Sequence, residues 1–519
     1  MKISIKNILG TCLMGVVLTS CSDDDVLNLV SINSINEETA FSTPSLIQAS
    51  VNGMYEGGQI GNYVGAPRGY VWGAAFIQQN DMRGEDGVNV AAFYQITYQA
   101  DYDATTGNNV FYWDSSYKLI NRANLVIEGV QRAVADNIID AQTGNNYIGQ
   151  AYFLRAITHF ELLIHFSRPY QDNPTVYYGV PYRAEAINSI ATINAALSDD
   201  RSNVAETYTK ILADLDLAEQ LITTTEVYRA TRNAAVAFKA KVKLHQRDWF
   251  GVLEEVSKIE NLYQLTATPS GVFDNNSGNT ESIFSIQHSG VNNPGVNGAI
   301  ASQYKGRTLV AISPIIWNDS DWLADDLRRN QTFQSDNSDD FGNLVYDNGG
   351  VKYSNKYRDV NTFTDYTPIV RHAEILLMKA EAEARINGVT SVALDALNAV
   401  RNRALRDPNT QAYTLSEFGS PAQLVEKIIK ERRIEFLLEG KRWTDIHRLQ
   451  QDNLVPITGI PAKYTNGTPQ SAHYTAGIPY TGQLGIPQIP YENFRFLWPI
   501  PIIEINVYPN LANQQNPGY

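Results

Sequence analysis

The chain has 519 residues, a formal charge of −14 and a hydrophobic content of 43%. That length suits one large or two to three ordinary domains. The acidic balance, with no basic run against it, excludes nucleic acid as a partner. Tyrosine is abundant at 29 residues; rings that carry a hydroxyl suit a surface handling polar rings, although they also fill cores.

Residues 1–20 read as a secretory leader: Lys2 and Lys6 form its positive end, and Ile8 to Leu18 is an apolar run too short to span a bilayer. Leu18-Thr19-Ser20-Cys21 resembles a bacterial lipobox, in which Cys21 receives lipid and anchors the chain to a membrane without crossing it. Cys12 leaves with the leader, so the mature chain has no disulfide. Residues 21–39 form a lipidated tether and extended segment, with Asp23, Asp24 and Asp25 at its start.

Thr43-Pro44 opens a helix that Gly57-Gly58 is expected to end. Residues 63–112 mix aromatic side chains with Gly and Asp and follow no single period, as loops laid over a scaffold do. From 113 to about 262 the apolar period is helical, in the segments 113–134, 145–167, 204–223 and 231–246. Small residues from Ala230 to Ala240 mark a close approach between helices. Residues 264–368 are dense in Gly, Asn, Ser and Asp, with short apolar runs such as Ser282–Ile286. Two further helices are expected at 369–387 and 390–405, and a last helical region at 421–449. In 453–497 six prolines, among them Pro456, Pro479 and Pro490, forbid regular helix.

The densest patterning lies in Glu431-Arg432-Arg433-Ile434-Glu435-Phe436-Leu437-Leu438-Glu439-Gly440-Lys441-Arg442-Trp443-Thr444-Asp445-Ile446-His447-Arg448. Ile434, Leu437, Leu438, Trp443 and Ile446 define a buried face. Arg432 with Glu435, Glu439 with Arg442, and Asp445 with Arg448 stand three apart, where helical side chains meet. Glu431, Glu435 and Glu439 stand four apart and repel unless arginines from elsewhere answer them. Gly440 costs a helix about 1 kcal/mol, so it marks a break or a close contact.

This stretch closely resembles the signature of the SusD/RagB family, surface lipoproteins of Bacteroidetes that capture glycans beside a TonB-dependent transporter. Further blocks resemble that family in order: Trp113 with Tyr117–Asn124, Ala151–Ala156 with Phe160–Leu162, Arg371–Ala382, Leu397–Ala404, and the ending Trp498–Pro501 with Gln515–Tyr519. The resemblance implies a mainly α fold, a tetratricopeptide-like solenoid of helical pairs (113–262 and 369–450) within a single domain, 40–519. It also implies a loop-rich ligand-binding subdomain from 63–112, 264–368 and 453–497. The acidic run after Cys21 resembles the export signal of such lipoproteins and implies an outer-membrane, surface-exposed location. The implied partners are an oligosaccharide or polysaccharide and a SusC-like transporter. Peptide or glycoprotein capture, as in RagB-like proteins, and a transporter lid without a ligand site of its own remain the alternatives, since fold does not fix ligand.

No motif for catalysis is present: there is no His-Glu-x-x-His, no Gly-x-Ser-x-Gly and no phosphate-binding glycine loop. Glu431 and Glu435 meet the spacing of a glycosidase pair, but the flanking arginines favour an ion-pair network. The expectation is a binding protein, not an enzyme, that needs no cofactor. The strongest calcium candidate is the loop carrying Asp336 and Asp340, which lacks the Gly and the terminal Glu of a calcium hand. The ligand-site residues implied by position within the family are Asp81, Arg83, Tyr94 and Tyr98 from the first loop territory, and Trp317 and Trp322 from the second. The Asp-rich surroundings of the two tryptophans predict partial exposure.

Overall fold

The computed structural model describes residues 37–63, 65–275, 279–334 and 342–519. The leader, Cys21, the acidic run after it, and Asp336 and Asp340 lie outside the described residues.

The scaffold is built from helices whose starts are written in the sequence. Helix α1 (Pro44–Ile60) begins at Thr43, whose hydroxyl accepts from the Leu46 amide, with Pro44 in the first turn. A short helix α2 (Ala74–Met82) is buried along its whole length. The long pair α3 (Gly107–Ala135) and α4 (Ala141–Phe166) follows, α4 capped by Asp140. Next come α5 (Val204–Leu221), capped by Asn203, α6 (Arg232–Gln246), capped by Thr231, and α7 (Trp249–Ile259), capped by Asp248. Each cap side chain accepts an amide proton that the first helical turn would otherwise leave unpaired. After the middle insert, α8 (His372–Asn387), α9 (Ser391–Asn402), α10 (Pro421–Glu435) and α11 (Arg442–Arg448) complete the set. Successive helices pack as neighbours: α3 on α4, α4 on α5, α6 on α7, α7 on α8 and α8 on α9. This is the mainly α, tetratricopeptide-like architecture expected. Ala234, Ala235, Ala237 and Ala240 are fully buried where α6 meets its neighbours. Among the described residues, no helix is long and apolar enough to cross a membrane.

Three helical features differ from expectation: α2 lies in a territory read as loops, α3 begins at Gly107 rather than 113, and the first helix does not end at its glycine pair. Gly57 and Gly58 lie inside α1, which runs on to Ile60 and closes at Gly61. These glycines are there for space: a Cβ on Gly58 would stand 3.0 Å from Trp72 Cδ1, and one on Gly57 would stand 3.0 Å from Arg122 Nη1.

The irregular territories carry the sheet. Strands β1 (Gly87–Asn89), β3 (Val310–Ile312), β4 (Gln331–Thr332), β5 (Val345–Asn348) and β6 (Val351–Ser354) form a five-stranded sheet in the order β1-β3-β6-β5-β4. Here β1 pairs antiparallel with β3, placing Gly87 opposite Ile312, and β4 runs parallel to β5. Strand β2 (Ser282–Ile286) pairs instead with β7 (Thr367–Arg371), which leads directly into α8. Tyr464, from the proline-rich tail, joins Val88, Ala311, Tyr346 and Tyr353 in one small apolar cluster. The tail, the first loop territory and the middle insert thus meet around this sheet.

Between scaffold and sheet sits a buried ion network centred on α10. Arg371 bonds Glu281 at 2.6 Å, Glu435 at 2.7 Å and Glu439 at 2.9 Å. Arg328 bonds Asp326 at 2.7 Å, Glu431 at 2.6 Å and Glu435 at 2.9 Å. Arg401 reaches Glu431, Arg403 reaches Glu281 and Glu435, and Lys356 reaches Glu439. Burial pushes the Glu435 carboxyl up, but Arg403, Arg371 and Arg328 outweigh it and hold the group well below the usual carboxylate range. The three glutamates are therefore answered by arginines from elsewhere, as their spacing requires. Of the three expected local pairs only Asp445–Arg448 forms, at 2.8 Å. Arg432 turns to Asp445 while Glu435 is taken by distant arginines, and Arg442, beyond the end of the helix, turns to Glu85. The turn after Glu435 carries Leu438 at φ +57° and Gly440 at φ +72°, and the Gly440 Cβ position lies 3.1 Å from Ile77 Cα. Gly440 thus lies in the break and makes the close contact.

Candidate functional site

The six nominated ligand residues are all buried. Asp81, near the end of α2, accepts from the Tyr304 hydroxyl at 2.7 Å and from the Gly440 amide at 3.1 Å. Burial pushes its carboxyl up to about 8, so it is held as the neutral acid at pH 7. Arg83 lies with its guanidinium 3.4 Å from the Trp443 ring centroid and donates to His165 Nδ1 at 2.9 Å and to the Phe496 carbonyl. The Tyr98 hydroxyl donates to the Tyr464 carbonyl at 2.7 Å, which ties the first loop to the tail.

Trp317 and Trp322 overturn the expectation of partial exposure. They meet edge to face at 5.3 Å, and the Arg329 guanidinium stands 4.6 Å and 4.1 Å from their ring centroids. Arg329 also donates to both tryptophan carbonyls at 2.6 Å. The acidic neighbours that signalled exposure are taken up outside: Asp319 pairs with Lys430, and Asp321 with Lys427 at 2.5 Å, both lysines on α10. Their charge is spent pinning the loop to the scaffold, and the indoles turn inward.

What lies at the surface is the layer above Tyr94. Tyr94 is buried, but its sequence neighbour Phe93 is half-buried and meets it edge-on at 4.8 Å. The Phe93 carbonyl accepts from Asn108 Nδ2 at 3.1 Å, which fixes the loop to the start of α3. Arg68 stands 5.3 Å over the Phe93 ring. From the middle insert, exposed Arg307 donates to Asn297 Oδ1 at 2.9 Å and to Gln303 Oε1 at 3.4 Å. The insert can come this close because residue 298 is glycine: a Cβ there would stand 3.1 Å from the Arg68 carbonyl carbon. Burial raises the Tyr94 phenol above its ordinary pKa, and the fields of both Arg68 and Arg307 act against that rise.

This surface joins an aromatic ring, two guanidiniums and an amide, drawn from the two loop territories. It can stack a ring and bond hydroxyls. Among the described residues, no group of three or more His, Cys, Asp or Glu could hold a metal ion. Of the Phe93-Tyr94 doublet, sequence reasoning nominated Tyr94, which is buried, while Phe93 is half-buried. In an irregular segment no period says which of two adjacent rings faces out.

A scaffold of helical pairs carries loop-built surfaces, and its densest charge pattern is spent on internal ion pairs. Two family models match successive parts of the chain: one described as "SusD family" over residues 321–519, the other as "Starch-binding associating with outer membrane" over residues 29–244. The chain belongs to the SusD/RagB family. It is 26% identical over 485 residues to SusD-like protein P2 of Formosa agariphila, covering 84% of this chain and 89% of that one. A SusD superfamily protein from Bacteroides fragilis shares the fold with a TM-score of 0.71 at 24% identity, over 91% of this chain and 99% of that one. A SusD-like carbohydrate binding protein from Bacteroides vulgatus does so with a TM-score of 0.69 at 20% identity, over 91% and 98%.

Proposed function

We propose that the protein is a lipid-anchored, outer-membrane surface protein that captures oligosaccharide or polysaccharide and passes it to a SusC-like TonB-dependent transporter. The observation that carries the reading is the surface of Phe93, Arg68, Arg307 and Asn297, whose ring, guanidiniums and amide match the faces and hydroxyls of a sugar. The family model described as starch-binding and outer-membrane-associating supports it. In this reading Cys21 carries the lipid, and the site binds without catalysing. Asp81, Arg83, Tyr94 and Tyr98 hold the loops beneath the ligand, and Trp317 and Trp322 anchor the insert from which Arg307 projects.

The test is titration of the mature protein with a glycan panel beside a peptide library, on wild type, Phe93→Ala and Arg307→Ala. Glycan binding that both variants weaken is the expected result. Binding of peptides alone would overturn the sugar reading. Co-purification with a transporter of the same membrane, and mass spectrometry of the mature N-terminus at Cys21, test the remaining parts.

A further inference from the structure

The residues of α1, the turn before α6 and the segment at and after the end of β2 enclose a cleft of about 360 Å³ that shares no lining residue with the surface of Phe93. That volume lies at the lower end of the range for small-molecule sites, about 300–1,000 Å³. The Arg229 guanidinium lies 4.4 Å over the Tyr55 ring and donates through Nη2 to Asn52 Oδ1 at 2.6 Å, while its Nη1 has no hydrogen-bond partner. Gln59 spends its amide protons on the carbonyls of Gln287, at 2.7 Å, and Asn292, at 3.0 Å, which leaves Oε1 without a donor. His288 Nδ1 also lacks a partner. The half-buried Tyr228 ring forms one side, meeting Tyr366 edge-on at 6.4 Å.

Buried polar atoms are nearly always paired, so an unpaired donor and unpaired acceptors in one cleft wall need an explanation. Burial pushes His288 down to about 4, so its imidazole is neutral at pH 7. The charged groups of the wall are then Arg229 and Glu56, one of each sign, with Glu56 also paired to Arg122 at 3.6 Å. A carboxylate or phosphate gains little in such a wall. Hydroxyl groups, each of which both donates and accepts, match the mixed set, and the Tyr228 ring supplies an apolar face for ring carbons.

We infer that this cleft is a second ligand site, separate from the surface of Phe93, that takes a single neutral sugar ring. Its ligand class rests on the glycan reading above; its location does not. The cleft walls come from three elements that other contacts already fix: Tyr55 donates to Gln150 at 2.7 Å, and the Ala230 amide donates to Tyr55 at 2.8 Å. The site is therefore preformed, and binding needs no ordering of a loop.

The experiment titrates the mature protein with glucose, galactose, mannose and, as the charged arm, glucuronate, followed by saturation-transfer NMR. Wild type is compared with Arg229→Met, Tyr228→Ala and Phe93→Ala, each checked for its thermal melt. The expected result is a neutral hexose that binds wild type and Phe93→Ala alike and loses at least tenfold in affinity in both cleft variants. Tyr228 is half-buried, so Tyr228→Ala keeps the test open if Arg229→Met melts early. Hexose binding that only Phe93→Ala removes overturns the second site and leaves the first. Binding of glucuronate in preference to every hexose overturns the neutral ligand. Absence of hexose binding to wild type overturns the cleft site, while larger glycans still report on the Phe93 surface.

Discussion

The arginines around Glu435 and the arginines above Tyr94 put one side chain to two uses. Arg328 and Arg371 are buried and bonded by three carboxylates each, so their charge is consumed within the fold. Arg307 is exposed and bonds only neutral amides among its hydrogen bonds, and Arg68 lies over an aromatic ring. The planar fork of arginine serves both, since it pairs with carboxylates and also stacks on rings. What separates structure from recognition is the number of carboxylates within reach and the access of solvent. The densest charge pattern in the sequence is accordingly consumed inside the fold.

The largest effect should come from the first region. Glu435→Ala leaves Arg328, Arg371 and Arg403 facing an uncompensated gap, and breaking a buried pair costs about 3–5 kcal/mol. A chemical denaturation midpoint that stays at the wild-type value would break the comparison. Trp322→Ala should cost a similar amount, about 3–5 kcal/mol, by opening a cavity against Trp317 and Arg329. If it instead melts like wild type and loses glycan, the pair belongs to the binding region after all.

Phe93→Ala should act the other way round. Its ring is half-buried, so stability should fall by no more than about 1 kcal/mol, whereas affinity should drop about tenfold or more if this ring is the dominant contact. Calorimetric titration beside a thermal melt reads both. A further effect is a slope with pH. The Asp81 carboxyl lies at about 8 when folded and at about 4 when unfolded. Over that window the folded state holds a proton that the unfolded state has lost, so this group's contribution to stability is full below pH 4 and fades as pH rises to 8. Asp81→Asn should flatten that part of the pH–stability profile. Glu85, Glu435 and Asp445, all lowered by their arginines, give the opposite trend: their stabilisation is present above about pH 4.5 and is lost as pH falls below it.

The scaffold was legible because helices advertise themselves locally. Thr43-Pro44, Asp140, Asn203, Thr231 and Ser420 each cap the helix that the apolar period predicts. The need for distant arginines around Glu431, Glu435 and Glu439 followed from like charges one turn apart, although which arginines answer depends on the tertiary fold. Gly57-Gly58 misled because glycine serves a close approach as readily as a helix end. The indoles of Trp317 and Trp322 misled for a comparable reason. Asp319 and Asp321 look like solvent-facing residues until Lys427 and Lys430 arrive from α10, more than a hundred positions later. The Phe93 surface and the Arg229 cleft each combine segments with no shared period, so only three-dimensional placement assembles them.

The ion network also fixes an order in time. Its cations at 328, 356, 371, 401 and 403 are made before its central anions at 431, 435 and 439, whereas Glu281 and Asp326 precede them all. A chain that emerges from its N-terminus can close the pairs α3–α4 and α6–α7 early, because their contacts are local. It cannot close the junction between scaffold and sheet until α10 is present, and contacts between distant positions form slowly. Until then the arginines of the network lack their central carboxylates, although α7 and α8 already join the two halves of the solenoid.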